Sequence, residues 1–170
     1  DKPDAIIFQS ANGDSTDVVL TSNATFSNNY TVLLDSARGV TFRHMTIKTS
    51  GTSYSRVFEF RDEVEDVGLC NNIIQGYQST STSDYRSLIY MYNSNNDQSI
   101  SNITIKNNHL KDGSFGIYLY NYNNAESLWA NNFTIEHNDF DDQYYMGLYL
   151  RYLNDFRLNH NRIINDASQH

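Results

Sequence analysis

The residues best suited to chemistry in this chain are tyrosines recurring at matched positions of a repeated strand, with a few charged side chains beside them. One column reads Leu33, Glu59, Tyr90, Tyr118 and Tyr149; the next reads Asp35, Arg61, Tyr92, Tyr120 and Arg151, with Tyr122 and Tyr152 just beyond. A phenol ring has an apolar face and a polar tip, so a vertical strip of them could stack on sugar rings. Tyr90, Tyr92, Tyr118, Tyr120 and Tyr149 are therefore the candidate ligand-binding residues. The same rows serve a plainer purpose equally well, because cross-strand aromatic pairs stabilise a sheet by roughly 0.2–1 kcal/mol each. Glu59, Arg61 and Arg151 are the candidates for acid, base or charge-stabilising work. They are spread over several repeats, whereas two carboxylates acting as acid and nucleophile or base need a set separation. No catalytic set is defined.

Other reactive residues are sparse. His137 and His160 hold the same position of consecutive repeats, so they would stand about 4.8 Å apart in adjoining strands. With Glu136 or Asp139 nearby they could hold a divalent metal. The plainer reading is a polar turn column continued by His44, Asn71 and Asn107. The acidic run Asp62-Glu63-Val64-Glu65-Asp66 reads as a solvated loop, since no calcium-loop spacing accompanies it. Asp141-Asp142 reads as an acidic pair in the loop after Phe140. Cys70 is the lone cysteine, which excludes an internal disulfide; it reads as an incidental thiol. Four Asn-x-Thr triplets, at Asn23, Asn29, Asn102 and Asn132, match the glycosylation pattern in a chain where such matches arise by chance.

What must position these residues is a repeat. Five octets align without gaps: VTFRHMTI from Val40, VGLCNNII from Val67, ITIKNNHL from Ile103, FTIEHNDF from Phe133 and FRLNHNRI from Phe156. Their first and third positions are always apolar, the period of a strand with one buried face. The eighth is apolar again, and the sixth is Asn in four copies (Asn72, Asn108, Asn138, Asn161) with Met45 the exception. A second alternating strand precedes each copy, as in IYLYN from Ile117, and a third fits the connecting stretch. Copies recur every 23 to 36 residues, and no copy can bury its apolar face alone, so neighbours must stack. The expected fold is all-β, a right-handed single-stranded parallel β-helix of about five to six rungs. Residues 1–170 form one such domain, with 1–30 a leading rung and 31–163 the regular rungs. The Asn column would lie at a bend, its amides bonding to neighbouring copies and to turn backbone.

Composition agrees. The 170 residues include 13 Tyr, 9 Phe and one Pro, and charged residues make up only 19%. Asn, Ser, Thr and Tyr are poor helix formers, whereas aromatic and β-branched residues suit pleated surfaces. A net charge of −8 without a Lys/Arg cluster argues against nucleic acid and against an anionic membrane as partners. Neutral glycans and cationic partners are compatible. No cofactor is expected.

The phrases NITIKNNHL and NFTIEHNDF, each following a GIYLY- or GLYL-type strand, resemble the rungs of the pectin-lyase-like superfamily. The resemblance covers Thr31 to Ile163, and the chain is similar in style to β-helical regions of large secreted bacterial surface proteins. It implies a secreted or cell-surface location. It also implies that any reaction would sit on the tyrosine face, where members cleaving polygalacturonate-like chains carry their active sites. The lyase branch's calcium ligands and basic residue, and the hydrolase branch's Gly-His-Gly and Arg-Ile-Lys signatures, are not matched here. The expected function is a noncatalytic module for carbohydrate binding or adhesion. The alternatives are a polysaccharide lyase or glycoside hydrolase, and a structural spacer. NDASQH after the last strand is no cap, which predicts either further solenoid repeats or end-to-end self-association.

Overall fold

The computed structural model describes residues 5–93, 99–122, 126 and 129–165; most of the NDASQH tail therefore lies outside the described residues. Three all-parallel sheets carry the chain, which visits them in a repeating order. Sheet A contains β1 (Ile6–Gln9), β4 (Val40–Arg43), β7 (Val64–Cys70), β10 (Ile100–Lys106), β13 (Ala130–Glu136) and β16 (Leu153–Asn159). Sheet B contains β2 (Val19–Ser22), β5 (Thr46–Thr49), β8 (Ile73–Gln75), β11 (His109–Lys111), β14 (Asp139–Asp141) and β17 (Arg162–Ile164). Sheet C contains β3 (Val32–Asp35), β6 (Phe58–Arg61), β9 (Ser87–Asn93), β12 (Phe115–Asn121) and β15 (Met146–Arg151). Each A-B-C cycle stacks on the previous one in the same chain direction, an arrangement compatible with a parallel β-helix.

The octets align in space as they align in sequence. Ile103 pairs with Val67 on one side and Phe133 on the other, and Ile105 pairs with Leu69 and Ile135. These side chains, with Ile74, Leu110 and Phe140 of sheet B and Phe60, Met91 and Leu119 of sheet C, form one buried cluster. Burying each such side chain is worth about 1.5–3 kcal/mol, so the shared core is what holds the three sheets together.

One expectation is corrected. The third strand of each cycle is the second half of the octet, not part of the connecting stretch. The fifth residue breaks the octet by adopting a left-handed conformation, at His44, Asn71, Asn107, His137 and His160 (φ between 52° and 57°). Asn and His are both among the non-glycine residues enriched in this region, Asn because its short amide can bond locally. The sixth-position amides then turn inward. Asn108 Nδ2 donates to Leu69 O at 2.7 Å and to Asn138 Oδ1 at 3.0 Å, while its own Oδ1 accepts from the Asn72 backbone N–H at 3.0 Å. The ladder continues through Asn138 to Asn161. It satisfies corner backbone that would otherwise be buried without partners.

The acidic stretches are also more structured than loops. Val64 is fully buried and opens β7, and Glu65 pairs with Arg38 at 3.3 Å. Asp141 ends β14 and lies 3.2 Å from His109 Nε2. In the last cycle Phe156 and Leu158 continue the apolar column, yet both are exposed, because among the described residues no strand stacks on the outer side of β16 in sheet A.

Candidate functional site

The outer surface of sheet C brings the five predicted tyrosines together. In-register pairing puts Glu59 beside Tyr90, Tyr90 beside Tyr118, and Tyr118 beside Tyr149. The rings of Tyr90 and Tyr118 stack at 5.3 Å and 18°, and those of Tyr118 and Tyr149 at 4.7 Å and 14°. In the second row Tyr92 and Tyr120 stack at 5.0 Å and 13°. The faces of Tyr118 are therefore covered by its neighbours. Tyr90 is covered by Tyr118 and by the Arg56 guanidinium, which lies 3.2 Å from its ring centroid. What these central rings offer to solvent is their edges and a file of hydroxyls, not the open faces that sugar stacking uses.

The N-terminal end of this surface is closed by charges that the sequence reading missed in part. Arg56, just before β6, is buried and donates to Glu59 Oε2 at 2.9 Å and Asp84 Oδ2 at 2.8 Å. Its Nε also donates to the Asp84 carbonyl, and its backbone N–H to Asn29 Oδ1. Asp84 belongs to a short 3₁₀ turn, Asp84–Arg86, which Arg56 thereby ties to sheet C. Arg61 takes the other oxygen of Glu59. Glu59 points to the outer side of the sheet as expected, but there it is buried beneath the two arginines, whose pairing offsets the cost of desolvating it. That hydrogen bond raises the Arg61 guanidinium above its usual value. No hydrophobic periodicity marks Arg56 or Asp84, and no repeat position is shared between them, so the sequence carried no signal for this pair.

At the C-terminal end Arg151 is exposed, donating to the hydroxyls of Tyr149 at 3.3 Å and Tyr152 at 3.0 Å. Tyr152 is left-handed (φ 59°), an unusual place for a bulky ring. It is held there by edge-to-face contacts with Tyr120, Tyr122 and Trp129 at 5.1 to 5.2 Å. Glu59 shares its column with Tyr149 three strands away, and Arg151 lies two residues further along that strand, so the two are roughly 16 Å apart. Glu59, Arg61 and Arg151 therefore do not converge on one reacting centre. Burial pushes the Tyr90 phenol far above its ordinary value and raises that of Tyr118, with smaller contributions from neighbouring charges.

The remaining candidates lie elsewhere. His137 and His160 stack at 4.8 Å with their rings nearly parallel, on the exposed A–B corner. Among the described residues no group of three or more His, Cys, Asp or Glu gathers to hold a metal. Cys70 lines a shallow cavity of about 560 Å³ on the outside of sheet A, with Thr41, Gly68, Thr104 and Asn102. Burial raises its thiol above the usual value, against the smaller opposing pull of Lys106 and Arg43. Asn29, one of the glycosylation-pattern residues, is buried and bonded through both ends of its amide.

No protein-family model matches the chain, and no similar chain is found among curated proteins or solved structures.

Proposed function

We propose that the chain is a right-handed single-stranded parallel β-helix of about five to six rungs in the style of the pectin-lyase-like superfamily. We further propose that it is a noncatalytic module of a secreted or bacterial surface protein, holding a linear glycan along the tyrosine face of sheet C. The observation carrying this reading is the pair of stacked tyrosine rows, which line up phenol hydroxyls at about one strand spacing and end at exposed Arg151. A polymer lying across the strands would meet alternating donors and acceptors held rigidly by the stack, so little side-chain entropy is lost on binding. The handedness follows from the general preference of parallel crossovers.

A glycan array with wild type, Tyr118→Ala, Tyr120→Ala and Tyr120→Phe tests the proposal. Binding lost in both alanine variants and weakened about tenfold in Tyr120→Phe is the expected result, since the phenylalanine keeps the stack and removes one hydroxyl. Wild type binding nothing on the array would leave the second reading, a structural spacer, which is favoured by the closed ring faces: the stacking then serves stability alone. The lyase or hydrolase alternative would need Glu59 released from both arginines. Unsaturated uronate or new reducing ends, abolished by Glu59→Gln or Arg151→Ala, would establish it.

A further inference from the structure

We infer that Tyr92 and Tyr120 form an oxidative modification site, where a peroxide-driven one-electron oxidant joins the two rings as dityrosine and staples one cycle of the chain to the next. The site is independent of any glycan on the same face. Tyr92 lies in β9 and Tyr120 in β12, and these strands pair in parallel with the two residues directly opposite. Parallel pairing without offset repeats each atom of one ring one strand further along. The ring centroids are 5.0 Å apart and the planes are inclined by only 13°. The ring carbons ortho to the two hydroxyls are therefore also about 5 Å apart.

The coupling balances as follows. Each phenol gives one electron to the oxidant and its hydroxyl proton to water. The two phenoxyl radicals join through their ortho carbons, and the hydrogen on each of those carbons moves to the neighbouring oxygen. Two phenols are restored, bonded to each other, and the chain has lost two hydrogens. Packing selects the pair. Tyr92 is 51% exposed, and among the described residues its one ring contact is Tyr120, so it can turn about its side-chain bonds to close the gap. The other row lacks that freedom: Tyr118 is held between Tyr90 and Tyr149 and against the edge of Phe115 at 5.2 Å. Tyr90 lies under the Arg56 guanidinium, whose charge opposes electron loss from the ring. Arg151 stands further off, 5.5 Å from the Tyr120 ring, and is exposed to water that screens it. Exposure without alignment is found elsewhere. Tyr85 is 46% and Tyr145 50% exposed, but Tyr85 is tilted by 41° to Tyr54, and Tyr145 meets Phe115 edge-on at 89°.

The bond closes a loop of 28 residues, beside the Asn93–Asn121 amide bond of the same two strands. A covalent bridge over such a loop restricts the unfolded chain as a disulfide does, and this chain, with its lone Cys70, has no internal disulfide. The test treats dilute protein with a haem peroxidase and limiting hydrogen peroxide, read by dityrosine fluorescence and peptide mapping. The expected product is a monomer lacking two hydrogens, with the peptides carrying Tyr92 and Tyr120 joined. Tyr92→Phe and Tyr120→Phe keep the stacked rings and should each abolish that product, whereas Tyr85→Phe should leave it unchanged. Oxidised wild type should also unfold at a higher urea concentration than oxidised Tyr120→Phe. Four results overturn the inference: no dityrosine, a bridge mapped to another pair, a bridge formed only between molecules, or an oxidised wild type no more stable than oxidised Tyr120→Phe.

Discussion

The carboxylate of Glu59 is a titratable group on a candidate binding face, yet both of its oxygens are engaged, one by Arg56 and one by Arg61. Its chemistry is that of a clamp. Glu59→Ala should cost about 2 kcal/mol in urea denaturation, since it removes one of the two carboxylates that pair the buried Arg56 guanidinium and leaves only Asp84, and the loss should exceed that of Asp35→Ala at the exposed edge. The tyrosines give a second test at this scale. Tyr90, Tyr118 and Tyr120 hold their protons above the ordinary value of 10.0, chiefly through desolvation. The folded chain keeps these protons at a pH where the unfolded chain releases them. The stability they support is thus intact below pH 10 and is lost as pH rises through their folded values. Phenolate absorbance should show a late-titrating subset that moves to the ordinary range on unfolding. Asp139 behaves in the opposite sense: the Arg162 hydrogen bond holds it low, so its small, solvent-screened contribution is present at neutral pH and fades in acid.

At the scale of the strand, the octets reveal most of the architecture because alternation and stacking obey the same arithmetic: a residue matched in sequence is a neighbour in space. The Asn column was readable for the same reason, and its inward hydrogen bonds follow from its place at the corner. The octet's division into two strands was hidden, because Asn and His at the fifth position tolerate left-handed backbone without requiring it, and only backbone geometry shows the break. The site was legible as a surface and not as a contact set. Period-2 reasoning assigns Tyr118 to the outer face, but ring stacking and the Arg56 cover depend on rotamers and on a loop some 28 residues away in sequence. Two substitutions test the columns. Ile105→Asp should cost more than about 4 kcal/mol by placing an unpaired charge in the shared core. Asn108→Leu should cost about 3 kcal/mol, and more than Asn161→Leu, because Asn108 serves partners on both sides while Asn161 ends the ladder.

For the whole molecule, the core is continuous through all three sheets, so damage at one cycle should spread to its neighbours, and melting curves of Ile105→Asp should broaden as well as shift. The parallel pairing has a mechanical corollary. Because the first and last strands sit at opposite edges, the backbone hydrogen bonds between cycles point along the line joining the two ends. A pull on those ends would load a few bonds at a time in tension instead of shearing a whole strand at once. Stretched by its termini, the chain should yield at low force in steps, each releasing one cycle's worth of contour length, on the order of 100 Å for about 30 residues.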